Sequence, residues 1–109
     1  MISNKILTAC TGFQWDRGNR GKNLRKHNVS DDECEEVLTN DPLFIDTDEL
    51  HSHNELRYHG YGVTDQGRMI FIGFTIRETV IRPISARVMN KKERKIYENE
   101  IKKITDVQE

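Results

Sequence analysis

The chain has 109 residues, the size of one domain, so a single modest core is expected and no second one. Hydrophobic residues are 35% and charged residues 32%; the longest apolar run, Met69 to Ile76, fits a buried strand and falls far short of a membrane span. Cys10 and Cys34 make neither a disulfide framework nor the paired spacing of a structural zinc site, and the apolar patch within residues 1–10 is too short for a secretory signal, so a cytoplasmic protein is expected.

The formal net charge of −1 hides a segregated pattern. Residues 13–27 carry five Arg or Lys and one Asp, residues 28–56 carry ten acids and no Arg or Lys, and residues 57–95 carry nine Arg or Lys against three acids. Two basic blocks that converge in space would form a phosphate-binding surface, while an acidic block folded over them would cancel it. Charge alone does not choose between these.

In chain order, Phe13-Gln14-Trp15 alternates apolar and polar, and Asp16 is placed to cap a helix running to about His27. That helix has Leu24 as its one strong hydrophobe and is weakened by Gly18 and Gly21, so it is expected to be mostly exposed and anchored by Trp15. Asn28 suits the left-handed residue that ends it. Ser30 and Glu33 form a capping box for a second helix, with Val29 and Cys34 as its staple, Cys34, Val37 and Leu38 as its apolar stripe, and Asn40-Asp41-Pro42 as its stop.

Leu43-Phe44-Ile45 reads as a strand or irregular segment leading into an acidic loop with His51 and His53. A meander follows: Leu56 to Thr64, a turn at Asp65-Gln66-Gly67 with Gly at the position needing positive φ, Arg68 to Arg77, a short turn at Glu78-Thr79, and Val80 to Arg87. Met69-Ile70-Phe71-Ile72 is apolar on both faces, which predicts a central strand. Pro83 removes a ladder donor, so the strand holding it is expected at an edge or with a bulge. Asn90 with Glu93 caps a last helix whose stripe is Ile96, Tyr97, Ile101 and Ile104, and residues 105–109 are expected to fray. The whole is one α+β domain over 1–109, with 1–12 and 105–109 peripheral.

Several short motifs occur in order: Phe13-x-Trp15-Asp16, Asn23-x-x-Lys26-His27-Asn28-Val29-Ser30, Glu35-Glu36-Val37, Asp48-x-x-His51-Ser52, Glu55-x-Arg57-Tyr58, Gly67-Arg68, Phe74-Thr75-x-Arg77, Ile84-Ser85-Ala86-Arg87 and Glu93-x-x-x-Tyr97. Their order and spacing resemble the BrnT family from about Phe13 to Glu98. The resemblance implies a RelE-like α+β fold, with two N-terminal helices and a C-terminal helix packed on a small antiparallel sheet. It implies the toxin of a type II toxin–antitoxin module that cleaves RNA without metal and blocks translation. Its implied partners are the RNA substrate and a ribbon-helix-helix, BrnA-like antitoxin through which alone it meets DNA. Against the family pattern, Pro83 replaces an aliphatic residue, and Asn19 stands where many relatives have Lys, which removes one charge from the RNA-binding case.

Metal-free cleavage needs a base for the 2′-hydroxyl, cations for the phosphorane and an acid for the leaving 5′-oxygen. His27 is the candidate base or acid; Lys26, Arg57, Arg77 and Arg87 are the candidate phosphate clamp, because the planar guanidinium fork matches phosphate oxygens. Trp15, Lys22, Asn23 and Arg68 are candidate RNA contacts, Trp15 by stacking on a base. Each also has a structural reading: Lys26 and His27 close a helix where cations are favoured anyway, Arg57 could pair with Glu55, and Trp15 could be core. A two-residue turn at Glu78-Thr79 puts Arg77 and Arg87 on opposite sheet faces, and one more loop residue puts them on the same face. His51, His53 and His59 invite a metal reading, but no Cys completes a tetrahedral set, and no metal or cofactor is expected. Two other functions fit the same pattern: an antitoxin-binding module without nuclease activity, and a topoisomerase poison on the same fold.

Overall fold

The computed structural model describes residues 1–108, with side chains to Asp106. Among the described residues the strands are β1 (Gly12–Phe13), β2 (Phe44–Thr47), β3 (Arg57–Val63), β4 (Met69–Arg77) and β5 (Val80–Val88), and the helices α1 (Lys22–His27), α2 (Asp31–Thr39) and α3 (Lys91–Gln108). One sheet has the order β1-β5-β4-β3-β2. It is mixed rather than antiparallel as expected, because β1 pairs in parallel with β5.

The local signals set the element ends. Ser30 and Glu33 form the reciprocal capping box of α2. Asn90 and Glu93 make the same pair of bonds at the start of α3. Asn28 is left-handed at φ 57° and ends α1, and Gly67 supplies φ 83° in the turn before β4. The helix expected from Asp16 does not form until Lys22. Residues 17–21 are turns, Gly21 is left-handed at φ 68°, and the Asp16 carboxylate accepts from Gly18 N–H and from Arg82 instead of capping a helix.

Residues directly opposite in a ladder share a face. On one face Ile70, Ile72 and Phe74 of β4 lie opposite Gly62, Gly60 and Tyr58 of β3. This face meets α2, whose Cys34, Val37 and Leu38 are buried with Val29, Leu43 and Ile45 in the core. Gly62 lies close against α2: a Cβ there would sit 3.0 Å from the Val37 carbonyl oxygen. The first residues are tied in more than expected. Ile2 bridges to Ile45, and Ile6, Leu7 and Cys10 pack against the core.

On the opposite face, α3 covers one end: Tyr97 packs edge-on against Phe44 and donates to the Pro42 carbonyl at 2.7 Å. Of its expected stripe, Tyr97 is buried, whereas Ile104 is exposed. The helix runs through the segment expected to fray as far as Gln108, and Glu109 lies outside the described residues.

Candidate functional site

The site begins with a parity change in β5. The turn at Glu78-Thr79 has two residues, with Arg77 opposite Val80. Regular pairing from there would bring Arg87 opposite Ile70, on the core face. The register shifts between Gly73 and Phe74, which face Ser85 and Pro83 and leave Ile84 as an extra residue. Arg87 therefore lies opposite Phe71, on the same face as Arg77. Arg57 and Arg82, both opposite Thr75, and His59, opposite Gly73, share that face.

Pro83 has no N–H to lose at the bulge, and its carbonyl accepts from Asn19 Nδ2 at 2.9 Å. Asn19 also bonds the Gln14 carbonyl and the Asp16 N–H, and it is 2% exposed. Three residues on, Ala86 N–H donates to Asn23 Oδ1 at 3.0 Å. These two asparagines finish the outer edge of β5 beyond the short β1 strand. Asn23, expected to touch RNA, is fully buried, with Oδ1 held by the Ala86 N–H.

A pocket of about 340 Å³ opens on this face, walled by His27, Arg57, Arg87 and His59, with Gly73 and Ser85 among its lining. Arg87 forks onto Glu93 of α3 at 2.7 and 2.8 Å and lies over the Phe71 ring at 4.9 Å. Burial raises the Glu93 carboxyl, but the Arg87 bonds and the Asn90 N–H outweigh it and hold the group below its ordinary range. Arg57 has no side-chain hydrogen bond or ion pair among the described residues. It is the uncommitted guanidinium of the pocket.

The remaining wall is a carboxylate shared by two imidazoles. Asp48 Oδ2 lies 2.8 Å from His51 Nδ1 and 2.9 Å from His59 Nε2. Burial raises the Asp48 carboxyl, yet the His51 hydrogen bond and the nearby His59 and His51 lower it overall. Both imidazoles converge on the same carboxylate oxygen. Among the described residues no group of three or more His, Cys, Asp or Glu is arranged to hold a metal.

The structure thus brings His27, Arg57 and Arg87 together, and sets other expected residues apart. Arg77 forks onto Glu55 at 3.1 Å and lines an adjoining cleft of about 180 Å³ with Lys22 and Arg82; Arg57 borders both spaces. Lys26 is exposed beside His27. Arg68 bonds Glu33 and the Asn28 carbonyl, away from the pocket, and Trp15 packs against the core with Nε1 donating to Glu35 at 2.7 Å. Asp48, His59 and Glu93 were not among the expected site residues. The signal for His59 was its place two residues after Arg57, which puts both on one face of β3.

No curated protein sequence matches the chain. The family described as the BrnT ribonuclease toxin of type II toxin–antitoxin systems matches residues 15–93, a span that holds every residue of the pocket described above. The chain belongs to the BrnT family of ribonuclease toxins.

Proposed function

We propose that this protein is a metal-independent endoribonuclease that cleaves RNA and thereby blocks translation. In this reading it acts in the cytoplasm on a RelE-like fold. A ribbon-helix-helix antitoxin of the BrnA-like kind neutralises it and makes the DNA contacts. The observation that carries the reading is the joint presence of His27, Arg57 and Arg87 in one pocket. Two guanidiniums there suit the charge that develops on a phosphorane, and an imidazole suits proton transfer near neutral pH. Lys26, and Lys22 and Arg77 beside the adjoining cleft, extend the cationic surface along which an RNA backbone would lie. Arg77 and Arg87 are already compensated by Glu55 and Glu93, so Arg57 is the cation most available to an incoming phosphate.

The test is incubation of the purified protein with RNA in the presence of EDTA. Cleavage is expected, with loss in the His27→Ala and Arg87→Ala variants. Undiminished cleavage by both variants would overturn the site. Intact RNA together with tight antitoxin binding would select a binding module, and gyrase-linked DNA damage without RNA loss would select the topoisomerase poison.

A further inference from the structure

We propose that His59, held by Asp48, is the general acid that protonates the leaving 5′-oxygen, working across the pocket from His27 as base. This rests on the ribonuclease reading above and supplies the second proton-transfer group that the reaction requires.

An ionised carboxylate can only accept hydrogen bonds. His59 must therefore present Nε2–H to Asp48, which leaves Nδ1 as its working nitrogen. His51 likewise spends Nδ1–H on the same oxygen, and it positions the carboxylate. Of the two imidazoles His59 is the better placed. Its side chain is 29% exposed against 57% for His51. It stands on β3 next but one to Arg57, rests on Phe71 at 4.7 Å between centroids, and has directly opposite it Gly73, over which the Ser85 hydroxyl lies.

The charged groups around His59 are Asp48 and His51 from the segment before β3, Arg57 on β3, Arg87 on β5, Glu93 on α3 and His27 on α1. Asp48 is the one in direct contact, its Oδ2 2.9 Å from Nε2, and it fixes the orientation of the ring. His27 has no carboxylate partner among the described residues and follows Arg25 and Lys26. That contrast gives His59 the acid role and His27 the base role.

In the step, the 2′-oxygen bonds to phosphorus as its proton passes to neutral His27. The bond from phosphorus to the 5′-oxygen breaks as that oxygen takes the Nδ1 proton of His59. The products are a 2′,3′-cyclic phosphate and a 5′-hydroxyl, with His27 protonated and His59 neutral until solvent exchange resets both.

An oligoribonucleotide with bridging sulfur in place of the 5′-oxygen at one linkage isolates this role, because a thiolate leaves without a proton. His59→Ala is expected to lose about 10²- to 10⁴-fold on the ordinary substrate and little on the sulfur one. Asp48→Asn is expected to lose activity on the ordinary substrate and little on the sulfur one, a split that a purely structural contact would not give. Should His59→Ala fail to fold, His59→Gln, which keeps a donor for Asp48, takes its place. Equal loss on both substrates, in His59→Ala or in Asp48→Asn, by a variant that melts like wild type would overturn the assignment alone. Wild-type protein that cleaves neither substrate would overturn the ribonuclease reading with it.

Discussion

Replacing Arg57 with Ala should separate activity from stability. Its guanidinium has no partner among the described residues and faces a pocket already rich in cations, so its loss should change stability by no more than about 0.5 kcal/mol. In the reaction it would supply charge-assisted hydrogen bonds to a phosphate, about 1.5–3 kcal/mol, which corresponds to about a 10- to 150-fold fall in kcat/KM. Arg57→Lys should recover part of this, because it keeps the charge and loses the fork. Arg87→Ala is the contrasting case. It leaves the Glu93 carboxylate, 11% exposed, without its bidentate partner. Since Arg87 itself is 40% exposed, a destabilisation of about 1–3 kcal/mol is expected along with the loss of cleavage. The assay is kcat/KM on a short oligoribonucleotide beside a thermal melt. Wild-type cleavage by Arg57→Ala would refute the reasoning, as would a fall in activity matched by a large fall in melting temperature.

Asn19→Ala strips partners from the carbonyls of Pro83 and Gln14 and should cost about 2–4 kcal/mol, read as a melting temperature lower by about 10–20 °C. Gly62→Ala forces a Cβ against the Val37 carbonyl oxygen, a backbone atom that cannot swing aside, and should cost about 1–3 kcal/mol in a denaturant titration. Glu33, Asp48 and Glu93 all have carboxyls lowered on folding. Groups lowered in this way contribute stability above their unfolded range, near pH 4, and lose it as pH falls through the folded value. The melting temperature should therefore drop below about pH 4.5, and Glu93→Gln should flatten that drop.

The parts of this fold that can be read along the sequence are those whose partners are near neighbours. Ser30 with Glu33 and Asn90 with Glu93 close their capping boxes over three residues, and Asn28 and Gly67 adopt positive φ within a single turn. The parts that cannot be read depend on residues far apart. Pro83 marked β5 as irregular, but the partner of its carbonyl is Asn19, 64 residues earlier. That one tertiary contact accompanies the shift that puts Arg87 in the pocket instead of the core. In the same way, an Asp at position 48 in an acidic loop looks like solvated charge until β3 brings His59 against it. The burial of Asn23 against β5 could not be read either, because position on a short helix says nothing of which strand edge lies beside it.

The central claim is cleavage by internal attack of the 2′-oxygen in a pocket of imidazoles and guanidiniums. The most direct measurement is the chemistry of the RNA ends left by the purified protein in EDTA. The account predicts a 2′,3′-cyclic phosphate and a 5′-hydroxyl, with no cut at a linkage whose 2′-hydroxyl has been replaced by hydrogen. A 3′-hydroxyl with a 5′-phosphate, or a cut at the 2′-deoxy linkage, would contradict it.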